Sequence, residues 1–254
     1  MFNYNMYNME KEQNLPRPTV EQLNEYDNLS AALSSSDLQG AAYDDTINRI
    51  NQLISSFDWN NYEFTDPVTG LKGVKNAAGQ ILVPAQFEGF TILGDHHVFN
   101  LKHLAAQKNG KFGVVKADGK GETLCDFRFD TLIWDAYTGL YHGRWDGIKE
   151  KFGYVTIDGK VFIPNVITKF YEPWNDFILL ESDGKVGALD VSTMCFVLPQ
   201  YDKADWEPDT NVIFYKDGVA GYVIEETVEF VPVDQFEEDE KYDDVYVFNT
   251  NINI

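Results

Sequence analysis

Between residues 61 and 237, short apolar runs alternate with polar stretches that carry Asn-Gly or Asp-Gly, a spacing that predicts β-hairpins rather than helices. The runs "HVFNL", "DFILLE" and "NVIFY" are rich in β-branched and aromatic residues, and Asn109-Gly110, Asp183-Gly184 and Asp217-Gly218 follow them at turn positions. A second strand starts at each turn. In two places it ends at Asp118-Gly119 or Asp158-Gly159, dipeptides suited to the positive φ of a type I′ turn. A third strand, "ILVP", "VFIP", "CFVLP" or "EFVP", is expected to close at Pro84, Pro164, Pro199 or Pro232, since proline cannot donate to a ladder.

The flanks follow other periods. Leu23, Tyr26, Leu29 and Leu33, then Ile47, Ile50, Leu53, Ile54 and Phe57, recur at helical spacing, which predicts an α-helical hairpin over residues 19–60. Thr19 and Asp44 are its expected N-caps, and the hairpin is expected to pack on the first β repeat. Residues 1–18 read as a flexible N-terminal segment. Residues 238–254 read as an acidic segment followed by one more strand, "DDVYVF", which could close a ring or cap an open array.

The β region repeats. "KFGVVKADGK" at 111–120 and "KFGYVTIDGK" at 151–160 share seven of ten letters, and alignment on their glycine finds five copies anchored at Gly73, Gly113, Gly153, Gly187 and Gly221. The spacings are 40, 40, 34 and 34 residues, in the range of propeller blades and solenoid units, whose apolar faces are buried only by stacking. A glycine inside a strand marks a bulge or a close approach of a neighbour. Downstream of the third strand an aromatic is followed by an acid, at Phe87-Glu88, Phe129-Asp130, Tyr201-Asp202 and Phe236-Glu237. Repetition favours a packing role for the aromatic and a turn-capping role for the acid.

This order of hydrophobic-Gly, strand, Asp-Gly, strand, Pro and Phe/Tyr-Asp/Glu resembles the WG-repeat, or KWG-repeat, family of bacterial proteins over roughly residues 62–237. The position before the anchor glycine, commonly Trp in that family, holds Lys72, Phe112, Phe152, Val186 and Ala220. The resemblance implies a mainly β fold of tandem antiparallel repeats, as a propeller-like ring or a short solenoid, with binding rather than catalytic roles.

Composition narrows the partners. The 254 residues hold 41 acidic and 20 basic side chains, a formal charge of -21 that repels phosphate backbones and anionic membranes and favours a basic protein partner. Neither a basic region followed by an apolar stretch at the N-terminus nor a long apolar span occurs, so a cytoplasmic location is expected. Cys125 and Cys195 sit in apolar runs and read as buried free thiols.

Catalytic and cofactor motifs are absent: the chain has no GxxxxGK[ST], GxGxxG after a strand, GxSxG or HExxH. Asp95, His96, His97 and His103 are the nearest approach to a metal cluster, but adjacent strand residues point to opposite faces, and no metal site is expected. His142 reads as a surface-loop residue. Trp134, Trp145, Trp174 and Trp206 form the candidate binding surface. Three functions compete on these grounds: a non-enzymatic scaffold for protein–protein interaction, an acidic immunity or inhibitor protein against a basic toxin, and a carbohydrate-binding protein that stacks sugars on those tryptophans.

Overall fold

The computed structural model describes residues 15–34, 39–91, 102–171, 173, 176–206, 212–223 and 230–235, in two compact units, Met1–Phe127 and Arg128–Ile254. The described chain is mainly β, with two α-helices and five antiparallel sheets.

In the first unit, helices α1 (Val20–Ser34) and α2 (Ala41–Ser56) are joined by the Arg49–Glu25 ion pair. Thr19 opens α1 with a capping box: its Oγ1 accepts from the Gln22 amide at 3.3 Å, and its own amide donates to Gln22 Oε1 at 2.8 Å. The second expected cap is corrected. Helix α2 begins at Gly40, whose φ is 57°, and Asp44 lies inside the first turn, where its charge meets the helix dipole. Ile50 and Leu53 are buried, as is Trp59, whose indole donates to the Leu53 carbonyl at 3.1 Å.

The first sheet has three strands, β1 (Tyr62–Thr65), β2 (Lys72–Lys75) and β3 (Ile81–Phe87), in chain order. The second has four: β4 (Gly89–Phe90), β5 (His103–Lys108), β6 (Lys111–Lys116) and β7 (Thr123–Phe129), whose last residues enter the second unit. The strand that meets Asn109-Gly110 is therefore "HLAAQK", since the two-residue turn fixes Lys108 opposite Lys111. "HVFNL", expected in that place, falls outside the described residues.

Three further four-stranded meanders make up the second unit. They are β8 (Thr131–Asp135) to β11 (Val161–Ile167) through β9 (Leu140–Arg144) and β10 (Phe152–Val155), then β12 (Lys169–Phe170) to β15 (Cys195–Tyr201) through β13 (Phe177–Ser182) and β14 (Lys185–Asp190). The last runs from β16 (Lys203–Trp206) through β17 (Val212–Lys216) and β18 (Val219–Val223) to β19 (Phe230–Pro232). The run "FILL" in β13 is continuously apolar because both faces are covered. Phe177 and Leu179 enter a core with Tyr201 and Phe214, while Ile178 and Leu180 enter another with Tyr154 and Ile163. Cys125 and Cys195 are buried free thiols.

Two expectations about local structure are corrected. The third strand stops at proline only in the last sheet, where β19 ends at Pro232, and not in the three others that carry one. β3, β11 and β15 run through Pro84, Pro164 and Pro199, which lie in bulges where residues 84–86, 164–166 and 198–200 face single residues, Gly73, Gly153 and Gly187. A bulge leaves amides out of the ladder, so a residue without an N–H is tolerated there. Asp118-Gly119 and Asp158-Gly159 are likewise not type I′ turns, since only their glycines have positive φ, 86° and 81°. In the second, the Gly159 amide donates to the Thr156 carbonyl and the Thr156 amide to the Lys160 carbonyl, a type I turn closed by a left-handed glycine. Asn109-Gly110, Asp183-Gly184 and Asp217-Gly218 do carry positive φ at both positions, as type I′ requires.

Candidate functional site

The repeated aromatic–acid pairs lie where one sheet hands the chain to the next. Phe87, Phe129 and Tyr201 end β3, β7 and β15 and are 3%, 1% and 2% exposed, so their rings are core. The residue after each begins the following sheet. The amides of Glu88, Asp130, Thr168 and Asp202 donate to the carbonyls of Gln107, Arg144, Glu181 and Tyr215 at 2.7–2.8 Å.

The acid side chains then reach the hairpin turn of that sheet. Glu88 accepts from the Asn109 and Gly110 amides at 2.8 and 2.9 Å, Asp130 from the Gly147 amide at 3.0 Å, and Asp202 from the Asp217 amide at 2.8 Å. Asp202 also takes the Lys185 ammonium at 2.5 Å, and this pairing first, then the Asp217 amide, holds its carboxyl below the usual range. The third junction has Thr168 instead of an acid, and its hydroxyl donates to the Glu181 carbonyl at 2.9 Å. Each acid thus caps a turn of the sheet that it opens. Phe236-Glu237 lies outside the described residues.

Of the candidate tryptophans, Trp134 and Trp145 have described side chains, and each packs against an aromatic neighbour. Trp134, half-buried in β8, meets Tyr141 edge-on at 4.9 Å. Trp145, also half-buried, stands perpendicular to Phe129 at 5.6 Å, and its carbonyl accepts from Asn165 Nδ2 at 3.0 Å. Trp134 pairs with Tyr141 near the β8–β9 turn, whereas Trp145 follows Arg144 at the other end of that hairpin, roughly 13 Å away at the rise of an extended strand. Trp206 ends β16 opposite Val212, with its side chain outside the described residues, as is Trp174 entirely.

The histidines separate as well. His103 is buried in β5, and burial pushes its pKa down. Asp95, His96 and His97 lie outside the described residues. His142 is not on a surface loop: it sits within β9, half-buried beneath aromatic rings, because "LYHGR" is a strand whose ladder continues to Arg144. Among the described residues no three His, Cys, Asp or Glu side chains are grouped so as to hold a metal ion.

A second recurring device is legible in the sequence only as Asp with Thr three residues later, in "DPVTG", "DAYTG" and "DVSTM". Asp66 Oδ1 accepts from the Val68 and Thr69 amides at 2.9 and 2.8 Å, Asp135 Oδ1 from the Tyr137 amide at 3.0 Å, and Asp190 Oδ1 from the Ser192 amide at 2.8 Å. Each closes a hairpin. The Thr69 and then the Val68 amide hold the Asp66 carboxyl below its ordinary pKa, so its contribution to stability is present above an unfolded value near pH ~4 and lost as pH falls through the folded one. Asp66→Ala is therefore expected to abolish hydrogen-exchange protection of the Val68 and Thr69 amides at neutral pH, as acid does in the parent chain. Unchanged protection in the variant would show that the carboxylate does not hold the turn.

No described protein family matches this sequence, and no curated protein does. Solved structures give weak similarity. One is KlHsv2 with loop 6CD replaced by a Gly-Ser linker, at 9% identity and a TM-score of 0.34, covering 65% of this chain and 59% of that one. Another is the extracellular domain of a hybrid two component system from B. thetaiotaomicron, at 13% identity and a TM-score of 0.24, covering 70% of this chain and 28% of that one. No helix among the described residues is long and apolar enough to cross a membrane.

Proposed function

We propose that this chain is a non-enzymatic β-repeat scaffold of the WG-repeat kind that binds a protein partner with a basic surface. Each sheet is read as one blade-sized repeat, of a propeller-like ring or a short solenoid. The observation that carries the proposal is the use made of the repeated motif: its aromatics are core and its acids cap turns, so the repetition serves architecture. The surface left to vary belongs to a chain of net charge -21, which draws in a basic partner by long-range attraction.

The acidic-inhibitor reading is the most specific form of this proposal, because a basic toxin supplies the complementary field. The test is capture from native lysate with the purified chain as bait, followed by affinity measurements on the recovered protein. Between about 0.1 M and about 1 M salt the screening length shrinks from about 10 Å to about 3 Å, and affinity is expected to fall about tenfold or more. Affinity that holds constant across that range would overturn the electrostatic basis of the proposal.

A further inference from the structure

His142 lies in β9 directly opposite Tyr154 of β10, so the two side chains rise from the same face of their sheet. That face is covered: Tyr154 packs in one core with Ile178, Leu180 and Leu189 of the following sheet. The imidazole centroid lies 5.9 Å from Phe152, 6.2 Å from Tyr154 and 6.2 Å from Phe170, and Phe152 and Phe170 meet at right angles 5.7 Å apart. Phe170 belongs to β12, the two-residue strand that starts the next sheet. Three rings from two sheets thus meet at one histidine.

No hydrogen bond or ion pair engages the His142 imidazole among the described residues. Its charged form would be stripped of water with no carboxylate bonded to it, a setting that favours the neutral ring. The groups facing it are Asp135 of β8, Arg144 of β9 and the Tyr154 hydroxyl of β10. On the β12 side are Lys169, whose ammonium lies over the Tyr171 ring at 4.0 Å, and Glu181, which accepts from the Tyr171 hydroxyl at 2.6 Å. Burial lowers the pKa of His142 most, Asp135 opposes the shift and Arg144 adds to it.

Strand β12 has only two residues and little ladder to hold it. Its ladder consists of Lys169 opposite Glu181 and Phe170 opposite Leu180, extended by the Thr168 amide to Glu181 and the Tyr171 amide to Leu179. Phe170 is 43% exposed, so its inner contacts with the His142 cluster are what tie it to the preceding sheet. Short edge strands open at lower free energy than the sheet they border.

We propose that His142 is an acid-released latch: neutral, it holds Phe170 and β12 against the β9–β10 face, and protonated, it lets β12 detach and uncover Phe152 and the inner side of Phe170. The sign follows from linkage. Because the folded pKa lies below the unfolded value of about 6.5, the latch is fully closed above that pH and weakens as pH falls toward the folded value. Carboxylates held low by their partners act only below about pH 4, which leaves a separate window for the histidine.

The test is amide hydrogen exchange at Phe170 and Tyr171 from pH 7 to pH 5, corrected for intrinsic rates, together with an NMR titration of the His142 ring. The opening equilibrium is expected to rise about tenfold per pH unit between the two pKa values, with His142 titrating below 6.5. His142→Phe, which keeps a ring and cannot take a proton, is expected to remove the rise, and His103→Gln to leave it in place. A wild-type His142 that titrates at or above 6.5, or an undiminished rise in the His142→Phe chain, overturns the latch.

Discussion

Gly187→Ala is expected to unfold the sheet at the centre of the second unit, with a loss on the order of 4–5 kcal/mol, at the extreme of single-residue effects. A methyl group there would overlap the Val197 carbonyl oxygen and lie 2.7 Å from the Pro199 nitrogen and 2.8 Å from the Leu198 carbonyl carbon. All three are backbone atoms of the bulge in β15, so no side-chain rotation relieves the overlap. Gly184, three residues earlier in the same hairpin, provides the contrast. Its φ is 76° and nothing lies within 4 Å of an added methyl, so Gly184→Ala is expected to lose only about 1–2 kcal/mol, the strain of a left-handed residue. Urea denaturation of the two variants measures the difference. Equal losses would mean that the close approach at Gly187 is not what selects glycine.

Tyr201→Ala is expected to destabilise the second unit by about 3–5 kcal/mol, the range for emptying a buried aromatic site. The ring is 2% exposed, with Phe214 at 4.6 Å and Phe230 at 5.7 Å on the following sheet, so its removal opens a cavity where two sheets meet. Asp202→Ala, one residue along, removes an exposed carboxylate that caps the Asp217 amide, and its effect on the urea midpoint is expected to be much the smaller. The comparison separates the two halves of the repeated motif. A loss at Asp202 as large as that at Tyr201 would show that capping, rather than packing, holds successive sheets together.

The roles of those two residues are legible in the sequence because they rest on local chemistry and repetition. A residue that recurs at each junction must satisfy the same surroundings each time, and an acid after a buried aromatic finds backbone amides nearby. The Asn-Gly and Asp-Gly hairpins at 109–110, 183–184 and 217–218 are legible for the same reason, since their positive φ at both positions is a property of the dipeptide in its turn. Asp158-Gly159 shows where this logic ends. The same two letters adopt a different turn there because a bulge in the partner strand β11 changes the register across which the turn must close.

The candidate site is less legible than the scaffold. Tryptophans spaced along a repeat look alike in sequence, yet strand pairing puts Trp134 and Trp145 at opposite ends of one hairpin. His142, in a polar-looking "YHGRW", acquires its setting from Phe170, twenty-eight residues away, through the packing of one sheet on the next. By itself the sequence determined the periodicity, the mainly β class, the charge and the hairpin turns at 109–110, 183–184 and 217–218, all of which depend on side chains and their immediate neighbours. Only the tertiary structure decided which strand carbonyl approaches each anchor glycine, that Pro84, Pro164 and Pro199 sit within bulges, and which rings adjoin a histidine. Those are contacts between segments distant in the chain, and they exist only once the register of every strand is fixed.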